Sequence, residues 1–351
     1  MLRPYLFHSA RLFTEYLCTR FRVYSYLRLF VTRSTFAVSS NGALRMRHPL
    51  APMLVAGLLV AACTSTDRPL ASHPQFDHTQ DLDGVPDLIV DSKALTTSWV
   101  VYDQELKESF CTLQEGGVPA GKHRVLRFTV TTPNIGTADV YVGDPNRHWD
   151  PNGDGDGSDS DGLFENNACH RHYHFRNYAT YSLLSADRST SWISAKRGFC
   201  MLDITPYNVN DGGIKPWYYR ACGRPARPDL GLPEVPGNQG ISVYYADTYV
   251  KWLGGQYFVL DGSDGQAVIP PGDYVIRIEV NPGYVPSRQN PCRFLDPATG
   301  LCHALRESNY ANNVGEVAIS IPDHPGKKGW GPGGGQDPVD ELIDDENRPD
   351  K

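Results

Sequence analysis

Tyr274-Val275-Ile276-Arg277-Ile278-Glu279-Val280 sets Tyr274, Ile276, Ile278 and Val280 on one side of the chain and Arg277 and Glu279 on the other. A period of two over seven residues is the signature of a strand with one buried face. Pro270-Pro271-Gly272-Asp273 stands before it and reads as the turn that feeds it. Val125-Leu126-Arg127-Phe128-Thr129-Val130 repeats the alternation with Leu126, Phe128 and Val130, and Asp139-Val140-Tyr141-Val142 does so over a shorter run. No apolar pattern of period 3.6 persists beyond about two turns. The expected fold is all-β, a single β-sandwich-like domain with long loops.

Outward from these strands, composition narrows the function classes. The chain has 351 residues, 33 Lys and Arg against 40 Asp and Glu, 33 Gly and 27 Pro. Gly and Pro together stay below the level of a disordered chain, and no heptad, Gly-X-Y repeat or series of apolar spans is present. A net charge of −7 argues against nucleic-acid binding, which needs basic surface.

The amino-terminal part reads as processed. Residues 1–45 carry seven Arg, no Lys and one acid, Glu15. Met46-Arg47-His48 and the apolar run up to Ala62 then form a secretory signal too short for a membrane helix. Val60-Ala61-Ala62-Cys63 resembles a bacterial lipobox, which implies lipidation of Cys63. Translation is therefore expected to start at Met46, with residues 1–45 an upstream extension outside the true reading frame start. Residues 46–62 would be the signal peptide and 63–80 the lipidated cysteine and its tether. The competing reading is a transmembrane anchor with a basic cytoplasmic leader. Under the first reading the mature chain has 289 residues, 25 basic and 39 acidic side chains, and a charge of −14. It would be an exported lipoprotein held on a membrane at the cell surface or in the periplasm. Residues 81–322 form the expected domain, and the acidic stretch 323–351 is too poor in apolar residues to be expected to fold. Six cysteines besides Cys63 remain, an even number in an oxidising compartment, which favours three disulfides.

Cys169-His170-Arg171-His172-Tyr173-His174 carries three of the eleven histidines within five positions. On a strand such residues leave the same face, and neutral imidazoles in a row suit copper or zinc. The outer two would stand about 13 Å apart at Cα on an ideal strand, so convergence on one ion requires a bend or bulge. The histidines alone do not choose between copper and zinc.

The segment resembles the copper-binding segment of the lysyl oxidase family, and the resemblance continues in order along the chain. Upstream are Pro86-Asp87-Leu88 and Asn134-x-Gly136-Thr137-x-Asp139. Downstream are Tyr181-x-Leu183-Leu184, Lys196-x-x-Phe199-Cys200 and Gly240-Ile241-Ser242, then Asp247-Thr248-Tyr249 with Gln256 seven residues on. Gly272-Asp273-Tyr274, Val280-Asn281-Pro282-x-Tyr284 and Ser308-x-Tyr310-x-Asn312-Asn313 complete the series. The resemblance implies that His170, His172 and His174 bind copper. It also implies that Lys196 adds to an oxidised Tyr249 to form lysine tyrosylquinone. The addition needs a neutral amine, which burial of a lysine favours. The implied activity is oxidation of a primary amine, on peptidyl lysine or on small amines and polyamines, to aldehyde, ammonia and hydrogen peroxide, with dioxygen as oxidant. Asp247, two residues before Tyr249, is the candidate base. Basic or lysine-rich surface proteins are the expected macromolecular partners.

Two departures touch this reading. Animal members carry Trp-His where this chain has Asn166-Asn167, and a histidine where Thr180 stands. Neither position is a copper ligand, so metal binding is retained while base and substrate contacts are less defined. By resemblance Cys169 pairs with Cys222; Cys292 with Cys302 closes a Pro-rich insertion, which leaves Cys111 with Cys200. Asp150, Asn152, Asp154 and Gly155 fit the first positions of a calcium-loop template, with Asp156 in the same loop and Asp161 at position twelve. Its alternative is a solvated acidic loop. Rival functions are a non-catalytic copper-binding lipoprotein of the same fold and a zinc hydrolase, the latter disfavoured because no catalytic carboxylate pairs with the histidine row.

Overall fold

A computed structural model describes residues 84–152, 156–207, 218–288 and 290–340. The calls on residues 1–80, including Cys63, and on Asp154 lie outside them. In chain order the first strands are β1 (Val100–Leu106), β2 (Gly121–Arg127), β3 (Val130–Pro133), β4 (Val140–Gly143), β5 (Phe164–Asn167), β6 (His172–Phe175), β7 (Ala179–Ser185) and β8 (Ser191–Ile193). They are followed by β9 (Thr205–Pro206), β10 (Gln239–Ile241), β11 (Tyr245–Tyr249), β12 (Tyr257–Val259), β13 (Gly272–Val280), β14 (Phe294–Leu295), β15 (Cys302–His303) and β16 (Val314–Ile321). Helices are short: α1 (Ser92–Ser98), α2 (Cys111–Gly116) and α3 (Asn146–Trp149). The fold is all-β, as the alternation implies. No helix among the described residues is long and apolar enough to cross a membrane.

The largest sheet has the order β16-β13-β7-β8. β13 supplies it with the alternating face read from the sequence, since Tyr274, Ile276, Ile278 and Val280 are all buried. In register, Ile276 sits opposite Leu183 and Val317, and Ile278 opposite Tyr181 and Gly315. Two three-stranded sheets, β1-β2-β12 and β3-β11-β9, provide the other walls. Leu126, Phe128, Val130, Phe258, Tyr245 and Tyr249 join the β13 side chains in one hydrophobic core. Each large apolar side chain taken from water there contributes roughly 1.5–3 kcal/mol.

The run Val125–Val130 is not one strand. β2 ends at Arg127 and β3 begins at Val130, so the chain turns from one sheet into another. Arg127 fills the corner fully buried: its Nε donates to Gln104 Oε1 at 2.6 Å, its Nη1 to Lys251 O at 2.8 Å, and its guanidinium lies 4.7 Å from the Tyr257 ring centroid.

Two expectations are corrected. The carboxy-terminal stretch was expected to be disordered from residue 323, yet it is ordered through Asp340. Trp330 and Val101 exchange backbone hydrogen bonds of 2.8 and 2.9 Å, Gly333 N donates to Trp99 O, and Gln104 Nε2 donates to Val339 O. Gly329 and Gly331 permit this, both at positive φ, where a Cβ would meet the rings of Tyr102 and Trp99. Pairing along the edge of β1 replaces the missing apolar content. The disulfides are Cys111–Cys169, Cys200–Cys222 and Cys292–Cys302. Only the third agrees with expectation. Phe175 N donates to Phe199 O and Tyr173 N to Gly223 O, which brings Cys200 to Cys222 and leaves Cys169 facing α2.

Candidate metal centre

The histidine segment folds as a tight hairpin. β5 pairs with β6, Asn167 opposite His172 and Glu165 opposite His174. Residues 168–171 form the turn, which Asn167 organises by accepting hydrogen bonds on Oδ1 from Cys169 N and His170 N, both 2.9 Å. Arg171 takes φ 60°, a left-handed conformation that reverses the chain. His170 therefore leaves the strand and turns back over His172 and His174. This is the bend that three histidines of period two require.

The ring centroids lie 5.4, 5.2 and 4.9 Å apart, and one ligand nitrogen from each ring falls within 4.8 Å of the others. All three are buried. Burial first, then the charges of His172, Lys196 and His170, hold His174 well below the ordinary imidazole range, so its ring is neutral. Neither of its nitrogens has a hydrogen-bond partner among the described residues. Buried neutral imidazole nitrogens left without protein partners fit a coordinated metal ion, and a three-histidine set suits copper or zinc.

Gly198 packs against this ligand so closely that a Cβ there would fall within the His174 imidazole. The same segment bridges to the hairpin through Phe175 and Phe199. It thereby brings Lys196 to the histidines. The Lys196 side chain is buried, and its Nζ lies 4.7 Å from the centroid of the Tyr249 ring and 5.6 Å from that of Phe199. The Phe199 ring meets Tyr249 edge-on at 5.3 Å. Tyr249 Oη accepts from Cys200 N at 2.7 Å and donates to Cys200 O at 2.8 Å, which holds the phenol in place. Behind the lysine, Gly255 at φ +71° leaves no room for a Cβ, which would come 2.7 Å from Lys196 Cα.

Asp247 precedes Tyr249 on β11, is 1% exposed, and lies close enough to Tyr178 and Tyr181 for its charge to reinforce the upward shift that burial gives both phenols. Its strand is held to β3 with Thr132 opposite, and Thr132 Oγ1 bonds the Tyr178 hydroxyl at 2.5 Å. The structure thus brings His170, His172 and His174 together, sets Lys196 beside His174 and places its Nζ over the Tyr249 ring, while Asp247 lies buried on the Tyr249 strand near Tyr178 and Tyr181. Sequence reading named Asn167 only as a departure from the family pattern, and did not single out Gly198, which carries no side chain to flag it.

The acidic loop is different. Asp161 is engaged by His148 Nδ1 at 2.8 Å, by Arg293 at 3.3 Å and by Leu163 N at 2.9 Å. Asp156 accepts from Ser158 N. Asn152 N donates to Asp159. Among the described residues the histidines are the one cluster of three or more His, Cys, Asp or Glu ligand atoms. The calcium reading of Asp150, Asn152, Asp154, Asp156 and Asp161 turns on a loop whose centre, residues 153–155, lies outside the described residues.

Comparison with known proteins agrees with the geometry. The lysyl oxidase family model matches residues 86–290. Lysyl oxidase homolog 3B of Danio rerio is 26% identical over 208 residues, which is 56% of this chain and 21% of that protein. Lysyl oxidase homolog 2 of Mus musculus is 25% identical over 209 residues, 57% of this chain and 22% of that one. The chain thus spans about a fifth of the length of these relatives. With histidines, lysine and tyrosine of the resembling segments gathered in one site, and more than half the chain within the family model, the protein belongs to the lysyl oxidase family.

Proposed function

We propose that the protein is a copper- and lysine tyrosylquinone-dependent amine oxidase that converts primary amines to aldehydes with release of ammonia and hydrogen peroxide. One observation carries the reading: Lys196 Nζ stands over the Tyr249 ring, 4.7 Å from its centroid, beside the buried ligand His174. His170, His172 and His174 would hold the copper. When present, copper supplies redox chemistry with dioxygen, and the quinone derived from Tyr249 and Lys196 supplies the electron-accepting carbonyl.

The chain's own residues do the rest. Phe199 and the Cys200 backbone hold Tyr249 in one orientation, so the lysine amine approaches a fixed ring. The rings of Phe199 and Tyr249 wall the buried Lys196 side chain from bulk water. Asp247 takes the proton from the substrate's α-carbon on its carboxylate. A mature surface of −14 draws cationic amines, peptidyl lysine or polyamines among them, with strong salt dependence. Lipidation at Cys63 would hold the domain on a membrane facing such substrates.

The test is a tryptic digest of copper-loaded protein. A species joining the Lys196 and Tyr249 peptides, quinone absorbance quenched by hydrazines, and peroxide formed from alkylamines are the expected results. Copper binding with neither crosslink nor peroxide would instead establish a non-catalytic copper-binding protein of this fold.

A further inference from the structure

The three histidines are not held in the same way. His172 and His174 stand on β6, which β5 keeps in register and which Tyr173 N and Phe175 N fasten to Gly223 O and Phe199 O. His170 stands on no strand; it lies in the turn between β5 and β6. Its place therefore depends on the path of residues 168–171, and one residue dominates that path. Asn167 Oδ1 accepts from Cys169 N and from His170 N, both at 2.9 Å, and Asn167 O accepts from Arg171 N at 2.8 Å. Three consecutive backbone N–H groups thus end on Asn167, which itself closes the hairpin ladder opposite His172. Two of the three use the side-chain amide oxygen, the way an Asn commonly fixes a turn ahead of itself. Arg171 at φ 60° completes the reversal, a conformation that a non-glycine residue keeps where its neighbours impose it. The His170 ring consequently stands 5.4 Å from that of His172 and 5.2 Å from that of His174. An ideal strand would instead hold the first and third Cα about 13 Å apart.

We infer that Asn167 is a positioning residue for the metal: its amide oxygen sets the turn that delivers His170 as the third ligand, while His172 and His174 are placed without it. The inference rests on the copper part of the reading above and not on the quinone or on turnover. Position 167 is one at which this chain departs from the animal members of the family, so the family pattern does not supply the role. What the role needs is an acceptor two bonds from Cβ, since both side-chain bonds end on Oδ1. A carboxylate at 167 provides the same acceptor, a hydroxyl provides a shorter and weaker one, and a methyl group provides none. Without it the Cys169 and His170 N–H groups turn to water at the tip of the hairpin. The turn then samples other paths, although Cys111–Cys169 still tethers it to α2. The ladder of β5 and β6 is untouched, so the pair His172 and His174 persists as a two-histidine site of lower affinity.

Copper titration of the full chain against a chelator of known strength, with pulsed electron paramagnetic resonance counting the coordinated imidazoles, tests this. Wild type is compared with Asn167→Asp, Asn167→Ser and Asn167→Ala. Wild type and Asn167→Asp should bind alike through three imidazoles. Asn167→Ala should bind more weakly by about tenfold or more, through two imidazoles, and Asn167→Ser should fall between. Melts of the copper-free proteins and recovery of the Cys111–Cys169 peptide separate lost ligand placement from lost fold. Should Asn167→Ala fail to fold, the order of wild type, Asn167→Asp and Asn167→Ser decides. A folded Asn167→Ala with three imidazoles and wild-type affinity overturns the inference, as does Asn167→Asp falling below Asn167→Ser. A wild type that binds no copper overturns it together with the reading it rests on. Copper held by three imidazoles with neither crosslink nor peroxide sinks the amine-oxidase reading alone.

Discussion

Single residues set the tolerances of this site. Gly198 is the tightest, because its missing side chain makes the space that the His174 imidazole occupies. Gly198→Ala must displace either the ring or the segment that carries Lys196. Groups supporting metal ligands commonly govern affinity by 10–100-fold, so a loss of about tenfold or more in copper affinity is expected, read by competition with a chelator of known strength. Glu307 sets a different limit. It accepts from Leu88 N at 2.6 Å, from Asn281 at 2.6 Å and from Asn313 at 2.9 Å, and burial pushes its carboxyl up to about 7. In the unfolded chain the same group ionises near an ordinary 4.5. Between those values the folded state binds more protons, so stability falls as pH rises from 4.5 to 7 and levels off above. The full span is on the order of 3 kcal/mol. Thermal melts across that range should show the decline, and Glu307→Gln should flatten it.

At the scale of elements, the sequence disclosed strands better than their joints. β13 was legible because its alternation is unbroken over the whole span, with a Pro-Pro-Gly turn ahead of it. The corner after β2 was not, since Leu126, Phe128 and Val130 keep the strand period while the backbone changes sheets. The histidine hairpin was half legible. Its need for a bend followed from strand spacing, whereas the device that supplies it, Asn167 capping a turn with Arg171 in the left-handed region, has no local sequence mark. Cysteine pairing was hidden for the same reason: partners depend on which loops meet, and position in the chain does not encode that. Cys111–Cys169 ties the histidine turn to α2 across 58 residues, a closure that contributes roughly 4 kcal/mol in the chain-entropy model. Replacing both cysteines by serine should lower the melting temperature. It should also weaken copper binding, because His170 follows directly on the freed Cys169. Peptide mapping under non-reducing conditions should recover the Cys111–Cys169 and Cys200–Cys222 pairs.

For the molecule as a whole, the carboxy-terminal segment is part of the structure that presents the site. Composition marked it as a tail because its glycines and acids supply little surface to bury. Backbone pairing to β1 and the contacts of Tyr102 Oη with Gln336 O and of Lys107 with Asp340 order it instead. The segment also reaches the site's neighbourhood: Lys251, two residues after Tyr249, donates from Nζ to Gly333 O, while its own carbonyl accepts from the buried Arg127. The loop that follows the tyrosine strand is therefore held from both sides, by Arg127 beneath and by the carboxy-terminal segment above. Removing residues 326–351 would expose Val101 and Tyr102 and release Lys251. A chain ending at Pro325 should melt at lower temperature. It should also form the Lys196–Tyr249 crosslink more slowly than the full chain at equal copper content, because the ring would no longer be offered to the lysine in one fixed orientation. Crosslink yield against time, read by mass, measures this. Equal rates in the two proteins would show that β11 orients Tyr249 without help from the segment laid along β1.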